Sequence, residues 1–560
     1  MTRTALLTAL LCAAFPAGAL AQTADELKND HNTPGDVLTY GMGYSQQRYS
    51  PLDKINKQNV KRLVPAWSYS LSDNRGQEAQ PLLKDGVLYL TDHEKTVAVD
   101  AMTGKEKWRS MIEYPPETTR VVCCGIVNRG GALFDGKLYR TTLDGNVVAL
   151  DTKTGKEVWR TKSGDPKDGY SMTVAPLIAN GVVIAGVAGA EFGHRGYLEG
   201  FDPQSGKSLW KTFTIPAPGE PGSETWANAS SRTGGGSTWI TGSYDPDLDL
   251  VFWGTGNPAP WNPLHRKGDN LGSNTTYAFQ PKTGKIVWAY QTTPADPFDY
   301  DGVNEQVQAD LVINGGPPKK VVMQANRNGF LYVLERSSGK LLAANKFVKV
   351  TWADSIDLET GRPVLSQATK DAIDGKAVTV WPAAPGGKNW APMSYSPQTG
   401  LLYVNALEIG WDYEAEPVDK VASLKAGQPH YGVKRKFVFD NPDEKGYLRA
   451  IDPKTGKAKW QVPLKVPNWG GTMATAGGLV FAGRQTGEFQ AFDADTGALL
   501  WQFQMPSGVT AQPITWEKDG KQYVTVPSGT AGVYSLRFGD PNLANTPPGG
   551  TLWTFKLFED

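Results

Sequence analysis

Three carboxylates and one amide stand in loop-like stretches where a fold could gather them around a single ion. The stretch "DPFDYDGVN" sets Asp299 and Asp301 two residues apart, ahead of a glycine turn. In an extended segment such a pair points to one side, so both can face the same cation. "GVAGAEFGHRGYLEGFD" holds Glu191 among glycines just before a strand, and "FWGTGNPAPWN" holds Asn257 in a Gly-Pro turn. Each alone reads as an ordinary turn or surface residue. Together they compose a hard, all-oxygen donor set suited to calcium-like cations, and the lack of His or Cys among them disfavours zinc and copper.

A second unusual feature is "RVVCCGIVNRG", which places Cys123 beside Cys124; Cys12 is the only other cysteine in 560 residues. The N-terminus bears on their redox state. "MTRTALLTALLCAAFPAGALA" has a short positive start at Arg3, an apolar run from Ala5 to Phe15 and an A-x-A signal at Ala19-Leu20-Ala21. That run is too short to span a membrane, so residues 1–21 are expected to be a cleaved signal peptide that removes Cys12. An oxidising compartment then favours a Cys123–Cys124 disulfide over two reduced buried thiols. Adjacent Cα atoms lie about 3.8 Å apart, below the usual disulfide range of about 4.4–6.8 Å. Such a bridge must close a small ring and distort its peptide bond, and it ties no distant segments together.

The elements that must position these residues come from a repeat. "AVDAMTGKEKW" ends at Trp108, "ALDTKTGKEVW" at Trp159 and "GFDPQSGKSLW" at Trp210, with Asp100, Asp151 and Asp202 equally spaced. The pattern returns at Trp288, Trp460 and Trp501; "VLERSSGKLL" (333–342) is a copy without its Trp, and "SYSPQTGLLYV" (394–404) is weaker. Each copy reads as strand, tight turn with Gly at a positive-φ position, and strand. A lone hairpin cannot bury its face, whereas four-stranded blades around an axis can, leaving few exposed edges. About 540 mature residues at roughly 50–60 per blade point to an all-β, eight-bladed β-propeller over residues 22–560. The tryptophans are expected to pack blade on blade, and "GGTLWTFKL" to complete a blade begun near the N-terminus. Residues 405–447, rich in Pro, Lys and Glu, form the largest insertion.

Composition agrees: Gly 62, Trp 18 and Tyr 21 suit short strands and tight turns with aromatic packing. The 57 basic and 57 acidic residues balance, and loss of Arg3 leaves one net negative charge. Without like-charge runs, nucleic acid and acidic lipid surfaces are disfavoured as partners. No later stretch reaches the roughly 20 apolar residues of a transmembrane helix.

The order of "CCGIVNRG", "GAEFGHRGY", "GGGSTW", "GTGNPAPWNP", "FDYDGVN", "NRNGFLYVLER", "KNW" and "NWGGTMATAGGLVF" over essentially the whole mature chain resembles the pyrroloquinoline quinone (PQQ)-dependent alcohol dehydrogenases. The resemblance implies that Glu191, Asn257, Asp299 and Asp301 bind a metal ion and that Asp299 is the catalytic base. It assigns Arg327 to the quinone oxygens, and Trp239 and the Cys123–Cys124 ring to opposite faces of PQQ. Glu78, Arg129, Thr173, Asn389 and Trp469 match further cofactor contacts, with Gly189 and Ala190 as backbone beside it. Ala188 stands where many relatives have Ser and is left out of the site.

Asp301 sharpens the expectation. Calcium-dependent members carry a small or uncharged residue there and lanthanide-dependent members carry Asp, which matches the extra charge and ligand demand of a trivalent ion. A lanthanide(III) ion is expected, with Ca²⁺ as the alternative. The implied reaction is oxidation of a primary alcohol to an aldehyde by hydride transfer to PQQ, with Asp299 taking the hydroxyl proton. The "GTGNPAPWNPLHRKGDNLGSNTTYAF" stretch is more similar to ethanol-type than methanol-type members, so ethanol and longer alcohols, and aldehydes, are the expected substrates. The chain contains no C-x-x-C-H haem motif, so electrons are expected to pass to a separate periplasmic cytochrome c. A homodimer is left open. A non-enzymatic propeller scaffold is the rival class, but it gives no reason to combine these acids, Arg327 and paired cysteines.

Overall fold

The Asp-x-x-Thr/Ser-Gly turn folds through local hydrogen bonds. Asp151 Oδ1 accepts the N–H groups of Lys153 and Thr154 and the Thr154 hydroxyl, the last at 2.7 Å. Gly155 then takes φ +70°, a region in which a side chain is strained. The strands on either side, Asn146–Asp151 and Glu157–Lys162, pair antiparallel. Their burial differs from the expected alternation. The outer strand alternates between half-buried and exposed residues, but the inner one is buried on both faces until its last residue, because neighbouring sheets cover it.

The computed structural model describes residues 22–558 apart from 34, 74, 314, 419–426, 428, 430 and 531–539; the expected leader, 1–21, lies outside the described residues. Among them are seven four-stranded antiparallel sheets and one of five strands. The fifth strand is Tyr49–Ser50, which pairs parallel with Thr472–Thr475. The expected closure holds. Leu63–Ser70 pairs with Thr551–Leu557, which in turn pairs with Lys521–Ser528, so the two ends of the chain share one sheet.

Each repeat tryptophan docks on the next sheet, and all but Trp501 do so at its turn. The Trp108 indole N–H donates to Thr152 O (2.9 Å), and its ring fills the place where a Gly155 Cβ would stand, 2.4 Å away. Trp159, Trp210, Trp288 and Trp460 make the same bond to Pro203, Pro281, Arg336 and Ala494 at 2.9–3.0 Å. Trp67, which no quoted repeat contains, does so to Ala101. In the copy without Trp, Asn345 stands in, its Cβ at 2.4 Å from the Gly456 Cβ position. Trp501 donates to Leu63 O (2.9 Å), returning the series to the first sheet. This cyclic docking of sheets is a propeller.

Within a sheet the second strand returns antiparallel to the first. Loops entering the first strand and turns joining the second and third therefore lie on one face of the ring. Two additions decorate it. The expected insertion contains the strands Gly410–Ala415 and Val433–Val438, which join Val378–Val380 in a small sheet. A further Asp-x-x-Thr-Gly turn, Asp357 to Gly361, joins the two-stranded hairpin Ala353–Ile356 and Pro363–Leu365. No helix among the described residues is long and apolar enough to cross a membrane.

If the docked indole holds neighbouring sheets together, Trp159→Ala lowers the unfolding free energy by about 3 kcal/mol. Chemical denaturation checks this, and an unshifted midpoint would remove the contact from the stability account.

Candidate active site

Loops on that one face converge on one cavity. Glu78, Arg129, Thr173, Trp239, Asn389 and Trp469 reach it from segments entering first strands; Glu191 and Arg327 reach it from second-to-third strand turns. All the expected site residues line this cavity except Ala190 and Asn257. Ala190 is buried between Gly189 and Glu191, and Asn257 is buried against Asp301, donating its backbone N–H to Asp301 Oδ1 at 2.9 Å.

The acidic end follows from one unforeseen residue. Buried Asp296 accepts the N–H of Phe298 (2.8 Å) and of Tyr300 (2.7 Å), and Asn274 donates to its Oδ2. The stretch is thus a pinned loop and not the extended segment expected, with Asp299 at φ +64°. Phe298 and Tyr300 are fully buried, while Asp299 and Asp301 line the cavity. Gly256 permits the approach of Asp301, since a Cβ there would stand 2.4 Å from Asp301 Oδ1.

Arg327 is the counter-charge, its Nη1 lying 3.4 Å from Asp299 Oδ2 and 3.3 Å from Asp301 Oδ2. One guanidinium does not offset the burial. Desolvation holds the Asp299 carboxyl well above the usual carboxylate range; Arg327 opposes this, and Asp301 and Glu191 add to it by repulsion. Glu191 is raised in the same way by burial and then by Asp301. Asn257 Oδ1 and Asp299 Oδ1 are buried and accept no hydrogen bond. Two orphaned oxygens beside mutually repelling carboxylates fit a hard cation, which would satisfy the oxygens and relieve the repulsion.

The remainder suits a flat, anionic ring. Trp239 is half-buried, with the Arg129 guanidinium 4.7 Å from its ring centroid and that of Arg327 at 5.8 Å. Arg129 also pairs with Glu78 (2.8 Å) and donates to Thr173 Oγ1 (2.7 Å), so three expected contacts form one chain. Burial raises Glu78, against the pull of Arg129. Cys123 and Cys124 are disulfide-bonded and line the same cavity.

Several supporting residues escaped the sequence reading. Asn304 accepts the Arg327 N–H (3.1 Å) and donates to Asn389 O (2.8 Å), linking two cavity loops. Lys388, ion-paired with Glu305 at 2.7 Å in full burial, also donates to Asn389 O. His194, pushed down to about 4 by burial and hence neutral, has Nε2 3.1 Å from Ala188 O. Trp261, Trp390, Tyr431, Arg435 and Phe437 line the cavity as well. Trp261 and Trp390 fall within the quoted motifs "GTGNPAPWNP" and "KNW"; the other three lie in the 405–447 insertion, whose sequence carries no signal for the site.

This arrangement has close counterparts. The family model for the glucose/ethanol/alcohol dehydrogenase β-propeller domain (PQQ) matches residues 38–360 and 366–524. The chain is 42% identical to the quinoprotein alcohol dehydrogenase PedH of Pseudomonas putida, over 99% of this chain and 96% of that one. It is 40% identical to a quinoprotein ethanol dehydrogenase of Pseudomonas putida, over 99% and 95%. Among solved structures, a europium-containing methanol dehydrogenase superposes with a TM-score of 0.90 at 36% identity, covering 95% of this chain and 100% of the other. The chain belongs to the PQQ-dependent quinoprotein alcohol dehydrogenase family of alcohol oxidoreductases.

Proposed function

We propose that this chain is a periplasmic, lanthanide-dependent dehydrogenase of primary alcohols, ethanol and longer, that passes its electrons to a cytochrome c. Asp301 carries the reading. It adds a third carboxylate to Glu191 and Asp299, and it is held beside Asn257 by the backbone N–H. Three carboxylates with an amide oxygen match a trivalent ion better than a divalent one. The similarity to a europium-containing enzyme supports this. The seven four-stranded sheets and the one of five strands make eight blades if each sheet is one, and the cyclic indole docking supports a single eight-bladed domain over 22–560. The apolar side chains of Trp261, Tyr431 and Phe437 at the outer cavity support substrates larger than methanol. The A-x-A signal before Gln22 supports export.

In this reading Glu191, Asn257, Asp299 and Asp301 hold the metal ion. Trp239 and the Cys123–Cys124 ring wall the PQQ slot, with Gly189 and Ala190 as backbone beside it. Glu78, Arg129, Thr173, Asn389 and Trp469 orient the cofactor edge. PQQ supplies the two-electron redox chemistry when bound, and the metal ion supplies Lewis acidity. Asp299, ionised once a cation offsets its crowding, accepts the alcohol hydroxyl proton. Arg327 fixes the Asp299 main chain by donating to its carbonyl (3.1 Å) and stabilises the ionised carboxylate. Burial of Asp299 and its neighbours keeps water from competing for that proton.

Metal-free protein supplied with PQQ and La³⁺ turns over ethanol, whereas PQQ with Ca²⁺ does not; Asp301→Ala removes the lanthanide requirement. Activity titrated against each ion checks both, and full activity with Ca²⁺ alone would overturn the lanthanide reading. Asp299→Asn lowers kcat by about 10²–10⁴-fold while PQQ binding, read by absorbance, persists; near-normal turnover would exclude Asp299 as the base. The raised carboxyls of Glu191 and Asp299 bind protons that a cation must displace. Lanthanide binding therefore releases protons and weakens as pH falls, which calorimetry in buffers of different ionisation enthalpy will show.

A further inference from the structure

The outer end of the cavity holds a cation that alcohol oxidation leaves unused. Arg435 stands on the strand Val433–Val438, in the hairpin that the insertion adds beside the cavity. Its guanidinium lies 4.6 Å from the ring centroid of Trp261 and 5.2 Å from that of Tyr431. Among the described residues it makes no ion pair and no hydrogen bond. The other two arginines lining the cavity are committed, Arg129 to Glu78 and Arg327 to Asp299 and Asp301. Neighbouring Lys434 is taken up by Glu414.

A guanidinium stacked on aromatic faces keeps its edge N–H groups for a planar acceptor, and a carboxylate matches that fork in two parallel bonds. The cavity is also polarised along its length. The Glu191 carboxylate lies beside the Trp261 indole, and Arg435 lies over the ring of that same side chain. One tryptophan thus separates the acidic inner end from a cationic mouth. With the acids at the inner end taken up by Arg327 and by the metal ion proposed there, Arg435 is the cation left to draw an anionic group on a ligand. The neutral hydroxyl end is then the one that goes in.

We infer that Arg435 forms a carboxylate-binding subsite, and that the cavity takes primary alcohols bearing a carboxylate at the end remote from the hydroxyl, with an aromatic or alkyl spacer against Trp261 and Tyr431. This rests on the alcohol dehydrogenase reading proposed above. The carboxylate takes no part in the bond changes: the carbinol loses two electrons and two protons to become the aldehyde, as for an uncharged alcohol, and the carboxylate only anchors and orients.

The test compares 4-(hydroxymethyl)benzoate with benzyl alcohol on the holoenzyme loaded with PQQ and La³⁺. Wild type is expected to favour the carboxylated alcohol by about tenfold in kcat/KM, mainly through KM, and added salt reduces that preference. In Arg435→Gln the ratio of the two kcat/KM values falls to about one, and Arg435→Lys, which keeps charge without the fork, lies between. A wild type that turns over benzyl alcohol without preferring the carboxylated analogue overturns this inference alone. So does a preference that survives Arg435→Gln. Failure to oxidise either alcohol sinks the underlying dehydrogenase reading instead.

Discussion

The structure depends on an aromatic ring seated on a glycine. At six repeat turns, those of Gly104, Gly155, Gly206, Gly284, Gly339 and Gly497, backbone with positive φ leaves no room for a Cβ, and the preceding sheet fills that room with an indole whose N–H is tied to the turn carbonyl. Burying much of a tryptophan ring contributes on the order of 2–3 kcal/mol, and the contact recurs around the ring. It also fixes the distance and tilt between neighbouring sheets. The cavity is built from loops of many sheets, so the separation of Glu78 from Asp301 or Trp469 is set by this docking and not by anything in the loops themselves. Long insertions can then be carried on one face at modest entropic cost.

That rigidity permits an arrangement that would otherwise fly apart. Glu191, Asp299 and Asp301 are nearly buried, close together, and opposed by one guanidinium. The crowding is held by main-chain donors: Asp296 pins the loop bearing two of the acids, and the Asn257 N–H holds the third contact. The protein side of the site is short of positive charge, a shortage that a bound cation would offset. At the opposite end of the cavity the imbalance reverses, with Arg435 lacking an acidic partner among the described residues.

Legibility in the sequence follows the range of the interactions. The repeat was readable because its turn is closed within five residues by Asp, Thr or Ser, and Gly, and its glycine tolerates no substitute. The same locality made Asp299 and Asp301 readable as a pair, although the reason was different from the one expected: alternation about a pinned loop, not an extended strand. Asp296 carries no such signal, because a buried carboxylate that accepts two backbone N–H groups looks like any turn Asp in sequence. Trp67 was overlooked because its strand pairs with the far end of the chain and so lacks the usual turn beside it. Tyr431, Arg435 and Phe437 could not be found at all. Their hairpin reaches the cavity by packing across the ring, with Trp261 and Tyr431 in edge contact, and no local pattern encodes such a contact.

The pairing of Leu63–Ser70 with Thr551–Leu557 has a consequence for biogenesis. The sheet that holds Leu63–Ser70 is not complete until Thr551–Leu557 has joined it, so the ring stays open until then. An open ring presents bare sheet edges at both sides of the gap, which are templates for association with other chains. A chain without Thr551–Leu557 would keep most of its sheets and yet never lose those edges. Docking of Thr551–Leu557 between Leu63–Ser70 and Lys521–Ser528 closes both edges in one step.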